Sequence, residues 1–129
     1  MTKQQIIGLL STLTAIAEGY DLTTEIPWRQ RNPGDLIQWP GATPTPDGKV
    51  KFDLHSQGWL ALEAQWEHML SGNSPLYPRG ITWAALSARY CGQAYPNPWC
   101  REFTSTLAVD AQTPVQAWVD ANLDPPTTP

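Results

Sequence analysis

The chain has 129 residues and a mass of 14.3 kDa, which suits one folded domain with a hydrophobic core. Hydrophobic residues make up 41% of it and charged residues only 16%, which excludes an intrinsically disordered protein. The net charge is −4 and the eight Lys and Arg residues are scattered, which excludes a nucleic-acid partner, because phosphate binding needs clustered cations. No segment approaches the roughly 20 apolar residues that span a bilayer, so we expect no membrane partner.

The first predicted element is a helix that ends at Glu18. Residues 2–5 have the pattern of a capping box, and apolar residues recur at helical spacing over residues 6–17 until Gly19 stops the helix. The C-terminal end of a helix carries partial negative charge, which disfavours the ionised form of Glu18. Desolvation by neighbouring aromatic side chains would raise its pKa further. Glu18 is therefore a candidate general acid, although an ordinary solvated carboxylate at a helix end is the alternative.

A turn and a short β-hairpin are predicted next. Residues 31–36, Arg-Asn-Pro-Gly-Asp-Leu, form a turn by their Asn, Pro and Gly content. Between Leu36 and Phe52, two short apolar segments flank a Pro-Asp-Gly-Lys turn at residues 46–49, which is typical of a hairpin. The turn over residues 31–36 is either purely structural or also lines a cleft beside Glu18.

The pattern in the second half of the chain predicts four helices. Each begins at a cap residue and ends at a Gly or where the apolar periodicity stops. They are a helix capped by Ser56 and ending at Gly72, one capped by Thr82 over residues 83–90, one opened by Asn97 over residues 99–107, and one begun by a capping box at Thr113 and running to Leu123. We therefore predict one domain, residues 1–124, followed by a flexible tail, residues 125–129. The fold class is α+β and mostly helical, with a long first helix, a small β-hairpin and a helical cluster, and Glu18 lies at the mouth of the groove between them.

Cys91 and Cys100 are the two cysteines, and they leave two alternatives open. They form a disulfide that closes residues 92–99, or they remain two reduced thiols, because spacing alone does not fix disulfide geometry. Two cysteines are too few for a zinc site, and His55 and His68 lack ligand partners at metal-binding spacing. We expect neither a metal nor a cofactor.

Aromatic residues fall into two groups. Sugars bind on aromatic faces, and six aromatic residues in predicted loops or element ends are candidate platforms: Tyr20, Trp28, Trp39, Tyr77, Tyr95 and Trp99. Four others lie on the apolar stripes of predicted helices and are interpreted as core residues: Trp59, Trp66, Trp83 and Trp118.

Cleavage of a glycosidic bond gives this pattern a chemical interpretation. It needs a protonated carboxyl group beside the leaving oxygen and usually a second carboxylate, about 5 Å away for retention or about 6.5–9.5 Å for inversion. Glu18 is the candidate acid. The candidates for the second carboxylate lie near the predicted hairpin and are Glu25, Asp35 and Asp53.

Several motifs resemble a phage and prophage group of small lysozyme-like proteins. Residues 16–20, Ile-Ala-Glu-Gly-Tyr, and residues 30–36 look like that group's Ala-x-x-Glu-Gly-aromatic helix end and its Arg-Asn-Asn-Asn-Pro-Gly-Asn-Leu turn. Residues 58–62 resemble its Gly-Trp-x-Ala-Leu helix and residues 80–82 its Gly-Leu-Thr segment, so that the likeness extends over about residues 13 to 110. The chain departs from the group where Asp35 replaces an Asn, which makes Asp35 a candidate second carboxylate.

The resemblance implies a lysozyme-like fold and cleavage of the peptidoglycan glycan strand, at the β-1,4 link between N-acetylmuramic acid and N-acetylglucosamine. It implies that Glu18 is the catalytic acid. We expect Asp35 to stabilise the developing positive charge or to orient water. The residues expected to line the substrate groove are Tyr20, Arg31, Asn32 and Tyr95. Related superfamily members include hydrolases and lytic transglycosylases, and the latter manage with one glutamate.

The expected partner is bacterial peptidoglycan and the expected state is a monomer. The apolar run over residues 6–10 is too short for a signal-peptide core, so we expect a protein made in the host cytoplasm that acts on the cell wall after release or as part of a virion. Two alternatives are a virion or tail structural protein that binds cell wall without turnover, and a secreted antibacterial toxin with the same chemistry.

Overall fold

A computed structural model describes residues 1–126, and within that range the chain is mostly helical with one small antiparallel sheet. The elements in chain order are α1 (Lys3–Ala17), α2 (Ile26–Arg29), β1 (Thr43–Pro44), β2 (Val50–Lys51), α3 (His55–Leu70), α4 (Trp83–Cys91), α5 (Pro98–Leu107) and α6 (Val115–Asn122). The predicted α+β, mostly helical class is confirmed. Residues 127–129 of the predicted tail lie outside the described residues.

The start of α1 has the predicted capping box. The Thr2 hydroxyl oxygen accepts a hydrogen bond from the Gln5 backbone N–H at 3.1 Å, and the Gln5 side-chain oxygen accepts one from the Thr2 N–H at 2.8 Å. Two backbone donors that the helix leaves free are satisfied in this way.

The end of α1 is a Schellman motif built around Gly19. This glycine has φ +81°, its N–H donates to the Ile16 carbonyl at 3.0 Å, and the Tyr20 N–H donates to the Ala15 carbonyl at 2.9 Å. The left-handed backbone suits glycine, which lacks a Cβ. The motif makes Glu18 the C-cap residue, as the sequence pattern predicts.

The hairpin lies within the predicted segment, but its strands are only two residues long. Thr43 pairs with Lys51 and Pro44 with Val50. Proline has no N–H to extend a ladder, which limits the first strand. The helix α2 is not among the predicted elements, because four residues are too few to show a helical period.

Two of the predicted caps are present in the later helices. The Thr82 hydroxyl accepts a hydrogen bond from the Ala85 N–H at 3.2 Å, and the Asn97 side chain accepts one from the Cys100 N–H at 2.7 Å. These caps fix where α4 and α5 begin.

The other two predicted caps are wrong. Helix α3 begins at His55 with Leu54 as its N-cap, because the Gln57 side chain accepts the Leu54 N–H at 3.0 Å, so Ser56 lies inside the first turn. Helix α6 has Pro114 as its N-cap without a side-chain cap, because the Thr113 hydroxyl donates instead to the Asp110 carbonyl at 2.6 Å.

The main core lies between α1, α3, α4, α5 and α6. Trp66 and Trp83 are fully buried in it, as predicted, and Trp59 and Trp118 are partly buried against it. The Trp66 indole N–H donates to the Thr14 hydroxyl at 2.8 Å, which ties α3 to α1. A second, smaller core lies beneath the hairpin and consists of Leu36, Val50, Phe52 and Ala61. Within residues 1–126, no helix is long and apolar enough to cross a membrane.

Candidate active site

Glu18 lies where two cavities adjoin. The first, which we call the carboxylate cavity, has a volume of about 360 Å³ and is lined by Glu18, Glu25, Ile26, Pro27, Asp35, Asp47 and Lys49. The second, the tryptophan cavity, has a volume of about 250 Å³ and is lined by Ala17, Glu18, Cys91, Gln93, Pro98 and Trp99. Glu18 at the end of α1 thus lines both cavities.

A third cavity continues the series beyond Asp35. It has a volume of about 280 Å³, shares Asp35 and Lys49 with the carboxylate cavity, and extends to Tyr77, Arg89 and Tyr90. The three cavities are linked in series by these shared lining residues, and we call the series the groove; Glu18 and Asp35 both line its middle member, the carboxylate cavity. Three cavities in series suit an extended ligand better than a compact one.

Burial raises the pKa of Glu18 from 4.5 to about 7, with help from the negative charge of Asp35. The positive charge of the Lys49 ammonium opposes the increase in pKa. The Trp99 indole N–H, a nearby donor, opposes it as well, although the indole nitrogen makes no hydrogen bond in the structure. The predicted desolvation of Glu18 is therefore present, while the contribution of Asp35 was not predicted as a cause. A carboxyl group with this pKa retains a proton on about half of the molecules at neutral pH.

Asp35 is held beside Glu18 by a strained turn and an ion pair. Its φ is +50°, which is uncommon outside glycine, and its carboxylate lies 3.1 Å from the Lys49 ammonium. The side chains of Asp35 and Lys49 are 21% and 32% exposed, so the pair is only partly screened by water. The structure therefore brings together two of the predicted site residues, Glu18 and Asp35, and adds Lys49, which was not predicted.

Asn32 builds the turn from the inside. Its amide nitrogen donates to the carbonyls of Leu36 at 3.0 Å and Val50 at 2.9 Å, and its side-chain oxygen accepts the Leu36 N–H at 2.9 Å. Because Asn32 is fully buried, the structure places it within the turn and not on the wall of the groove, where we expected it to contact substrate. Asn32 thus fixes the turn against β2 and so positions Asp35.

Helix α3 approaches the turn so closely that only glycine fits at the contact. A Cβ atom on Gly58 would lie 2.0 Å from the Arg31 carbonyl oxygen, and one on Gly34 would lie 2.7 Å from Leu62 Cδ1. The Tyr90 hydroxyl donates to the Gly34 carbonyl at 2.7 Å and anchors the other side of the turn. Gly34 stands in the predicted turn, but no local pattern identifies Tyr90 as its partner.

Tyr20 belongs to an aromatic cluster together with Trp28, His55 and Trp59. Its hydroxyl shares a hydrogen bond of 2.5 Å with His55 Nδ1, and its ring centroid lies 5.1 Å from that of Trp28 and 5.4 Å from that of Trp59. With only 7% of its surface exposed, Tyr20 ties the segment after Glu18 to the start of α3 and is not an open sugar platform. Burial and the charge of Arg31 lower the pKa of His55.

The remaining predicted site residues lie apart from Glu18 or play a backbone role. Arg31 has φ +54° and its carbonyl oxygen faces Gly58, while Tyr95 is exposed and does not line any of the three cavities. Of the other candidate carboxylates, Glu25 lines the carboxylate cavity and Asp53 lines none of the three.

The cysteines are both free thiols in the structure. Cys91 is half-buried and lines the tryptophan cavity, whereas Cys100 is buried. Burial raises the pKa of the Cys100 thiol. Of the two alternatives that the sequence leaves open, the structure therefore contains the reduced pair.

The arrangement can donate a proton from Glu18 to a bound ligand and place the charge of Asp35 beside the same ligand. Among residues 1–126, no group of three or more His, Cys, Asp or Glu side chains is placed to hold a metal ion. Comparison with protein-family models, with curated proteins and with solved structures finds no match to this chain.

Proposed function

We propose that this protein cleaves the glycan strand of bacterial peptidoglycan, with Glu18 as the general acid on a lysozyme-like fold. The observation that carries the proposal is a carboxyl group with a pKa of about 7, half-buried where it lines two cavities, and beside a second carboxylate. General acids are most effective when their pKa lies near the working pH. The motifs around Glu18 and over residues 30–36 add the likeness to phage lysozyme-like proteins.

The chemistry follows from the order of groups along the groove. The glycan lies across the adjoining cavities with its scissile oxygen against Glu18, which gives its proton to that oxygen as the bond to the anomeric carbon breaks. Positive charge then develops on the sugar ring, and the Asp35 carboxylate stabilises it. Ionised Glu18 next acts as the base that accepts a proton from the attacking hydroxyl group.

Lys49 makes it possible for two carboxyl groups to occupy the same small region. Its ammonium pairs with Asp35 at 3.1 Å and offsets part of the repulsion that Asp35 exerts on ionised Glu18. Without this cation, two neighbouring carboxylates would compete for one proton more strongly.

The same ion pair favours a second candidate reaction, lytic transglycosylation. A carboxylate held by an ammonium at 3.1 Å is a weaker nucleophile than a free one, so a covalent intermediate on Asp35 is disfavoured. In transglycosylation a hydroxyl group of the sugar itself attacks the anomeric carbon and forms an anhydro end, and a single acid/base glutamate is sufficient.

Mass spectrometry of the products released from purified cell-wall sacculi tests the proposal. New reducing ends indicate hydrolysis and anhydro ends indicate transglycosylation. Sacculi that bind the protein but release no fragments would contradict the proposal and favour a wall-binding structural protein.

A matched pair of variants assigns the activity to Glu18. Glu18→Gln should lower the rate by at least about 100-fold, because it removes the proton donor. Glu25→Gln changes a carboxylate in the same cavity and should leave the rate within a few-fold of the original. If the two variants lose activity equally, Glu18 is not the acid.

A further inference from the structure

The indole N–H of Trp99 is a buried donor that lacks an acceptor. Trp99 is 4% exposed, and its nitrogen makes no hydrogen bond to any part of residues 1–126. An unpaired buried donor lowers stability, so native structures retain few of them.

The packing around Trp99 fixes the direction of its N–H. The ring stacks on Phe103 with 4.4 Å between centroids and on Tyr90 with 5.0 Å. Just before it in the chain, Asn97 caps α5 and also donates to the Ser87 hydroxyl at 3.1 Å. The ring therefore has little freedom to turn toward another acceptor, and the donor is preorganised.

Trp99 and Glu18 line the same cavity, and Ala17 and Pro98 add apolar surface beside them. In such a place a protonated carboxyl group needs no donor, whereas a carboxylate needs one to replace lost water. The unpaired N–H thus shares a cavity with a carboxyl group whose ionised form needs a donor.

We infer that Trp99 is a positioning residue whose indole N–H donates a hydrogen bond to the Glu18 carboxylate once Glu18 has lost its proton. In the proposed reaction, on which this inference rests, the O–H bond of Glu18 breaks and its electron pair stays on the carboxylate. The proton forms a new bond to the glycosidic oxygen, which takes the electron pair of the broken C–O bond. Trp99 stabilises the resulting carboxylate and holds it for the next step.

Trp83 provides a matched control. It is 1% exposed, its indole N–H is also unpaired, and it packs against the same Phe103 with 5.7 Å between centroids. Trp83 does not line the cavities that adjoin Glu18. Replacement by Phe therefore removes a buried N–H in both cases, but only at Trp99 is the N–H beside Glu18.

The test measures the pKa of Glu18 by carbon-13 NMR in the unliganded protein. Trp99→Phe should raise that pKa by about one unit, because the lost hydrogen bond served the ionised form. Trp83→Phe should leave it unchanged. In pH profiles of glycan cleavage, Trp99→Phe should lower kcat and leave KM unchanged. A raised KM together with an unchanged Glu18 pKa would show that the N–H binds the ligand instead, and would overturn the inference.

A second measurement uses the unsubstituted protein and so does not depend on the folding of a variant. The proton and nitrogen-15 shifts of the Trp99 indole should change as the pH rises through about 7, together with the Glu18 carbon signal, while those of Trp83 stay constant. An indole signal from Trp99 that ignores the titration would contradict the inference. Because neither NMR experiment needs turnover, a shift without wall cleavage would refute the proposed function alone.

Discussion

Glu18 owes its chemistry to neighbours that are distant in sequence. The helix end at Gly19 makes it a C-cap residue, but burial and the negative charge of Asp35 are what raise its pKa to about 7. Lys49 counteracts both effects from the hairpin. The sequence predicts the position of Glu18, because the capping motif is local, and it cannot predict Lys49, which is brought near only by the fold.

Two substitutions should move the pKa of Glu18 in opposite directions. Asp35→Asn removes a negative charge and should lower it, whereas Lys49→Gln removes a positive charge and should raise it. A carbon-13 NMR titration of Glu18 in each variant measures the shifts. Lys51→Gln is the matched control, because this exposed residue does not line the cavities around Glu18, and it should have no effect. Shifts of the same sign in the Asp35 and Lys49 variants would contradict the proposed electrostatics.

The raised pKa of Glu18 also makes folding stability depend on pH. The folded state binds this proton more tightly than the unfolded state, so the associated stability is complete below pH 4.5 and is lost as the pH rises through about 7. Glu18→Gln has no group that titrates at this position. The difference in free energy of unfolding between the variant and the original protein should therefore shift in favour of the variant by roughly 2–3 kcal/mol between pH 4 and pH 8. Urea denaturation at both pH values checks this. A difference that is independent of pH would show that Glu18 titrates normally.

At the level of elements, the site depends on the contact between α3 and the turn over residues 31–36. Asn32 fastens the turn to β2, and Gly58 lets α3 approach the Arg31 carbonyl. The turn itself is predictable from its Asn, Pro and Gly content. Its contact with Gly58 is not, because a glycine inside a helix has the same appearance in sequence whether or not another backbone packs against it.

Substitution of the two helical glycines distinguishes this contact from ordinary helix propensity. Gly58→Ala should lower the free energy of unfolding by about 1–3 kcal/mol and reduce activity, because its Cβ would overlap the Arg31 oxygen and displace the turn that carries Asp35. Gly8→Ala lies in α1 with no atom within 4 Å of the new Cβ, so it should raise stability by about 0.5–1 kcal/mol. Thermal unfolding and wall-cleavage rates check both variants. Equal stabilisation by the two alanines would refute a tight contact at Gly58.

For the whole molecule, the apolar pattern predicts most of the core but not which end-of-element aromatics join it. Trp66 and Trp83 lie on helical stripes and are buried as predicted. Tyr20 and Trp99 are candidate sugar platforms by sequence, because both stand at element ends, yet both are buried. Whether an aromatic residue at such a position faces solvent depends on long-range packing, and of these two residues only Trp99 lines a cavity beside Glu18.

The molecule as a whole thus combines a helical core with linked cavities that share Glu18, Asp35 and Lys49 as lining residues. The predicted architecture placed Glu18 at the mouth of a groove, and the cavities on either side of it agree with that position. That the ligand is a glycan strand rests on the proposed function. The pH dependence of catalysis tests the role of Glu18 in that function directly.

The most direct test is the rate of glycan release from purified sacculi by the unsubstituted protein as a function of pH. The proposed mechanism requires protonated Glu18, so the rate should fall on the alkaline side with a midpoint at about pH 7. A rate that is still increasing at roughly pH 9, two units above that pKa, or the absence of any released fragments at every pH, would contradict the proposal that Glu18 is the acid of a glycan-cleaving enzyme.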